Sequence, residues 1–152
     1  MNLKDPVLQT YLIAASLMCL KMMLQAWMTV YRMISVNGGF LHPEDVKKTP
    51  LNPNPSSEQL KPNPDVERSR SMQRNDMENI PIFLVAGFLF TLTQPALWIA
   101  QILMYGYVVS RLLHAYALGT AKTHDLRAVF FSVGSVIVIG MSLYTLVIAL
   151  RN

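Results

Sequence analysis

The stretch Arg74-Asn75-Asp76-Met77-Glu78-Asn79 leads without a break into the apolar segment Ile80–Leu92. That segment has 13 residues, whereas a helix needs roughly 20 to cross a bilayer. If it spans, the charged half is drawn into the same helix. Charges at membrane depth are costly and mostly face a protein interior or a watery cavity. The mismatch is the best pointer to a site in the chain.

Working outward, the composition agrees with a membrane setting. The chain has 152 residues, 52% hydrophobic and only 14% charged, against about 25% charged for an ordinary soluble domain. Mean hydropathy is +0.31. Val7–Tyr31 is apolar apart from Lys21 and Gln25, Pro95–Leu118 apart from Gln101, Arg111 and His114, and Leu126–Leu150 apart from Arg127. Each is long enough to span. With the mixed segment, the expected architecture is all-α: a four-helix integral-membrane bundle with spans at about 7–34, 65–92, 95–118 and 125–150. It forms one domain over 1–152. The start Met1–Lys4 makes a poor signal peptide, because the apolar stretch after it is too long and no small-residue cleavage site follows.

Charge placement orients the bundle. The formal net charge is +4, but the basic residues are scattered among carboxylates and apolar runs, unlike a nucleic-acid patch. Lys47, Lys48 and Lys61 fall in the first loop, and Lys122 in the last, with Arg127 just beyond. The turn at Thr93–Gln94 carries none. The excess of Lys and Arg puts the first and last loops in the cytosol and the termini on the far side. The single cysteine, Cys19, supports no disulfide framework.

Local signals set the helix ends. Asp5 can cap a helix whose first turn takes Pro6, and Asn37-Gly38-Gly39 stops it. Residues 43–64 hold six of the nine prolines, so the loop at about 37–64 reads as extended rather than helical. Pro64-Asp65 opens the second helix, with Asp65 and Glu67 near its positive end. Pro81 lies inside that helix and should kink it or free a carbonyl. Pro95 starts the third span, Gly119 ends it and Asp125 caps the fourth. Gly134 and Gly140 thin the last helix enough for close packing.

The polar residues form a pattern. Arg70, Arg74 and Glu78 recur at i, i+4 and so share a helix face, with Asn75 and Asn79 beside them. Arg111 and His114 share a face of the third span, and Arg127 opens the fourth. All lie toward the same ends of their helices, and together they could build a cationic, hydrogen-bonding pocket with one carboxylate. The plainer readings are arginines reaching lipid phosphates, an Arg74–Glu78 ion pair and a satisfied interior histidine. No set of His, Cys and carboxylates has metal-ligand spacing, and no phosphate loop or nucleophile elbow occurs. Such a pocket suits a small zwitterionic acid, its carboxylates paired to arginine and its amino group to Glu78. If that ligand carried a thiol, a nearby guanidinium would favour the reactive thiolate, and an apolar co-substrate would enter from the lipid side.

The same residues carry a family resemblance. Asp65-Val66-Glu67-Arg68 followed by Arg74-Asn75-Asp76-Met77-Glu78-Asn79 resembles the signature of the MAPEG membrane proteins, in particular their prostaglandin E synthase and glutathione transferase branches. Lys21-Met22, Phe40-x-x-Pro43-Glu44-Asp45, Arg111-x-x-His114 and Arg127 extend the resemblance over nearly the whole chain. The resemblance implies a homotrimer in the endoplasmic reticulum membrane with three glutathione sites, each between neighbouring subunits. Arg74, Asn75, Glu78, Arg111, His114 and Arg127 would hold glutathione, Arg127 would stabilise its thiolate, and Asp45 would assist as a loop carboxylate.

The implied activity is a glutathione-dependent transferase or peroxidase acting on lipophilic electrophiles, extending to isomerisation of a prostaglandin endoperoxide to prostaglandin E. The alternative is a non-catalytic, lipid-presenting helper of the same superfamily. Departures from the family pattern bear on this choice. Arg32 is one position out of register, Gln73 stands where a histidine is usual, Leu118 replaces a tyrosine, Ala128 a serine and Phe131 a tyrosine. The loss of the serine shifts thiol activation onto Arg127.

Overall fold

The structure is a computed structural model that describes residues 3–151. Residues 1, 2 and 152 of the expected domain, and so the first half of the Met1–Lys4 start, lie outside the described residues. Four long helices form the bundle: α1 (Pro6–Val36), α2 (Pro64–Leu92), α3 (Leu97–Gly119) and α4 (His124–Arg151).

Local chemistry sets their ends. The Asp5 side chain accepts from the Leu8 amide at 2.8 Å, with Pro6 in the first turn. Asn37 closes α1 in the left-handed conformation, φ 47°. Asn63 caps α2 by accepting from the amides of Asp65 and Val66. α2 runs unbroken through Pro81. Two helix starts differ from expectation. Ala96, not Pro95, flanks α3, and Asp125 lies within the first turn of α4 rather than capping it. There the carboxylate still faces the positive end of the helix.

The helices do not share the interior equally. α2 and α3 each pack against all three others, whereas α1 and α4 do not pack against one another. α1 and α4 are long and apolar enough to cross a membrane. The expected third span does not meet that test, because Gln101, Arg111, His114 and three tyrosines dilute it. Four of its polar residues, Tyr107, Ser110, Arg111 and His114, are buried. These polar groups of α3 therefore turn inward, and the apolar α1 and α4 flank the central pair. Large hydrophobic side chains such as Leu24, Trp27, Trp98, Ile102 and Val136 cover the outside.

An apolar core joins all four helices through Met18, Ile80, Phe83, Met104 and Met141. Phe83 stacks on Tyr107 at 3.9 Å between ring centroids. The Tyr11 hydroxyl donates to the Leu84 carbonyl at 2.9 Å. Next to the charged half of α2 the α1 contact turns polar. Gln25 donates to the Ser69 hydroxyl at 3.0 Å, and Thr29 lies 2.9 Å from the same hydroxyl. Gly134 brings α4 onto α3, since a Cβ there would lie 2.9 Å from the Ser110 hydroxyl. Gly140 has open space around it, so the second expected close-packing glycine has no neighbour within the chain.

The proline-rich loop is more ordered than an extended reading implies. It contains two short 3-10 turns, Pro43–Val46 and Ser57–Leu60. Asn52 and Gln59 exchange side-chain hydrogen bonds at 2.9 and 3.1 Å, and Gln59 also donates to the Asn37 side chain at 2.8 Å. This network ties the loop to the end of α1. Arg70 adds a second tie by donating to the Gly39 carbonyl while paired with Glu67.

Candidate functional site

The charged half of α2 faces both ways. On the α1 side lies a cavity of about 640 Å³. Thr29 and Met33 of α1, His42 and Asp45 of the loop, and Arg74 and Glu78 of α2 wall it. Asp45 is held over the cavity because its 3-10 turn is pinned: its carboxylate accepts from the His42 amide at 3.3 Å, and its carbonyl accepts from Asn52. Arg74 and Glu78 are both exposed. They do not form the i, i+4 ion pair of the plain reading, since no salt bridge joins them among the described residues.

On the opposite side, among α2, α3 and α4, lies a second cavity of about 380 Å³. Asn75, His114 and Arg127 line it, with Leu118, Ala128 and Phe131. Arg111 lies behind this lining, 1% exposed, and donates to the Asn75 side-chain oxygen at 3.3 Å. Its guanidinium carbon lies 5.7 Å from the centre of the Phe131 ring, within range of a cation–π contact. His114 lies 6.3 Å from the same ring. Arg111 Nε and Nη2 and Arg127 Nε are buried without a hydrogen-bond partner. Buried guanidinium donors are normally paired, so these groups are suited to an incoming anion.

The seven expected site residues thus fall into two sets within one chain. Asp45, Arg74 and Glu78 border the first cavity. Asn75, His114 and Arg127 border the second, backed by Arg111. A single pocket holding all of them does not form within one subunit. The cause is helical geometry: residues 74 and 75 are neighbours in sequence but about 100° apart around α2, and α1 covers one side while α3 and α4 cover the other. Arg70, grouped with Arg74 and Glu78 by spacing, lines the same first cavity and also ties down the loop through the Gly39 carbonyl. Arg32 donates to the Asp65 carbonyl at 3.0 Å and lies outside both sets of cavity-lining residues.

Sequence reading missed several residues. Ser71 lines the second cavity and His42 the first, and neither spacing nor charge singled them out. Asp76 is buried and bound through both carboxylate oxygens to Lys21 of α1. The signal for that pair existed, since Lys21 is the lone charge in the first apolar run. Of the departures, Leu118, Ala128 and Phe131 line the second cavity, Gln73 the first, and Arg32 neither.

With this geometry in hand, relationships to known proteins can be assigned. Residues 10–147 match the MAPEG family. The chain belongs to that family. It is 27% identical to prostaglandin E synthase from Homo sapiens over 150 residues, covering 99% of this chain and 95% of that protein. It is 30% identical to microsomal glutathione S-transferase 1 from Rattus norvegicus over 138 residues, covering 91% and 88%. The Mus musculus counterpart of the latter is equally similar, at 30% over 138 residues.

Proposed function

We propose that this MAPEG protein is a glutathione-dependent membrane enzyme whose sites lie between subunits of a homotrimer. The observation that carries the reading is the division of the polar residues between the two sides of α2. An exposed Arg74 and Glu78 border one cavity, and Arg127, whose buried Nε has no hydrogen-bond partner, borders the other. Each set is half of what a zwitterionic tripeptide needs: cations for carboxylates, a carboxylate for the amino group, a guanidinium for the sulfur. When the first cavity of one subunit meets the second cavity of the next, the halves unite and the tripeptide is enclosed.

In this reading all four helices span the membrane, and the first and last loops face the cytosol at the endoplasmic reticulum. Arg74 and Arg111 take carboxylate or peptide oxygens, Glu78 the amino group, and Asn75 and His114 hydrogen-bond the backbone of the tripeptide. Arg127 holds the sulfur in its anionic form. Bound glutathione supplies a nucleophilic thiolate for attack on a lipophilic electrophile. Toward an endoperoxide, the sulfur attacks one peroxide oxygen and the O–O bond breaks. The other oxygen takes a proton and becomes a hydroxyl. Loss of the proton from the carbon bearing the sulfur-bound oxygen then breaks the S–O bond, giving the ketone and returning the glutathione thiolate. Asp45, above the first cavity, is the candidate to move that proton. Leu118, Ala128 and Phe131 leave the second cavity poor in hydroxyls, which favours Arg127-driven transfer and peroxide reduction as the main activity.

The deciding test is glutathione binding by the full chain in detergent, read by calorimetry and by the ultraviolet band of the thiolate. Binding with a thiolate band at neutral pH is expected. A protein that binds lipid but no glutathione is instead the non-catalytic, lipid-presenting helper.

A further inference from the structure

The buried pair Lys21–Asp76 is not used by any step above. Asp76 is 4% exposed, and the Lys21 side chain 11%. Both carboxylate oxygens meet the ammonium group. A buried ion pair is weak evidence for stability, because well-packed apolar residues of similar volume often do as well. Retaining one inside a bundle of this kind therefore calls for another role.

Position supplies that role. Asp76 follows Asn75, which binds Arg111 and lines the thiol side of α2. Arg111 is itself buried and has no carboxylate salt-bridge partner among the described residues. The interior thus holds two cations, Lys21 and Arg111, and a single carboxylate, Asp76. The charges near His114 include those of Arg111, Lys21 and Arg127. Facing that cavity or buried just behind it are Lys21 from α1, Asp76 from α2, Arg111 and His114 from α3, and His124 and Arg127 from α4. Arg74, Glu78 and Asp45 lie on the other side of α2. The balance around the thiol is cationic, and among the described residues Asp76 is its only buried counterweight.

We infer that Lys21 and Asp76 act as a positioning pair that sets the field at the glutathione sulfur from inside the bundle, Lys21 favouring the thiolate and Asp76 opposing it. The inference rests on the glutathione reading given above. A unit charge roughly 10 Å away at an effective dielectric of about 20 shifts an ionisation by about one pH unit.

The test uses the full-length protein in detergent with glutathione as the probe, titrating the thiolate band against pH. Lys21→Met uncovers the Asp76 charge and should raise the midpoint of the bound thiol by about one pH unit. Asp76→Asn uncovers the Lys21 charge and should lower it by a similar amount. Lys21→Arg should restore the wild-type midpoint. Both single substitutions break the same contact, so a purely structural role would move both midpoints the same way. Opposite shifts support the inference, and equal-signed shifts or none overturn it. Where Lys21→Met does not survive extraction, Asp76→Asn alone gives the sign, a raised or unmoved midpoint overturning the inference. A wild-type protein with no thiolate band at any pH removes the glutathione reading itself, and this inference with it.

Discussion

The two sides of α2 differ in what they leave unfinished. Toward α1, the larger cavity is bordered by exposed Arg74 and Glu78 and overhung by a pinned loop carboxylate. Toward α3 and α4, the smaller cavity is backed by a fully buried Arg111 and bordered by Arg127, whose Nε has no partner. The first side can grip a flexible ligand at its ends. The second presents desolvated positive charge, which is worth more away from water. One helix carries both because consecutive polar residues diverge around its axis, with α1 packed on one side and α3 and α4 on the other. In the proposed reading, the groups that grip the ligand's ends and the group that activates its sulfur are separated by about a third of a helical turn.

The sharpest way to break this division is Arg127→Ala. If activation belongs to the second side, the thiolate band at neutral pH falls to the few per cent ionised that an unassisted thiol shows, and turnover drops at least about tenfold. A band of unchanged size would transfer activation elsewhere. On the first side, Glu78→Gln should raise the glutathione Kd about tenfold, the cost of one charge-assisted contact, and leave the thiolate fraction at saturation unaltered. An unaltered Kd would remove Glu78 from the ligand.

Legibility in the sequence followed the same division. The four helices were readable because Pro6, Asn37-Gly38 and Pro64 mark their ends by backbone chemistry that acts locally. Arg74, Asn75 and Glu78 were readable as polar residues in an otherwise apolar setting. Their separation into two cavities was not, since helical spacing gives faces but not which neighbouring helix covers each face. Arg70 shows both sides of this: it lines the first cavity with Arg74 and Glu78, as its periodicity implies, but its contact with the loop carbonyl of Gly39 was not legible. The ordered loop was missed for a related reason. Its prolines forbid an α-helix, but the Asn52–Gln59 pairing that fixes it depends on side chains meeting across a fold. On the third helix the shared face of Arg111 and His114 was legible from spacing, whereas their burial, with Tyr107 and Ser110, depends on how the helices pack.

Subunit mixing probes the division at the level of assembly. Arg74→Ala and Arg127→Ala chains, each inactive alone, are co-expressed at equal levels. If a site joins the first side of one subunit to the second side of its neighbour, every mixed trimer contains one intact site. Random assembly then restores about a quarter of wild-type activity. No recovery at all would mean that each chain carries a complete site.

The smallest expected effect concerns the contact that sets the depth of the second side. At Gly134 an added methyl would meet the Ser110 hydroxyl at 2.9 Å, with Arg111 Nε at 3.7 Å. Gly134→Ala should therefore push α4 off α3 and cost about 1–3 kcal/mol, as overpacking does, lowering the unfolding temperature in detergent. Gly140, with nothing within 4 Å, is the internal control: alanine there gains helix propensity and should be neutral or stabilising by up to about 1 kcal/mol. In the trimer reading Gly140 has a second possible fate. Destabilisation by Gly140→Ala would mark it as packed against a neighbouring subunit, and would locate α4 at the subunit contact rather than at the lipid face.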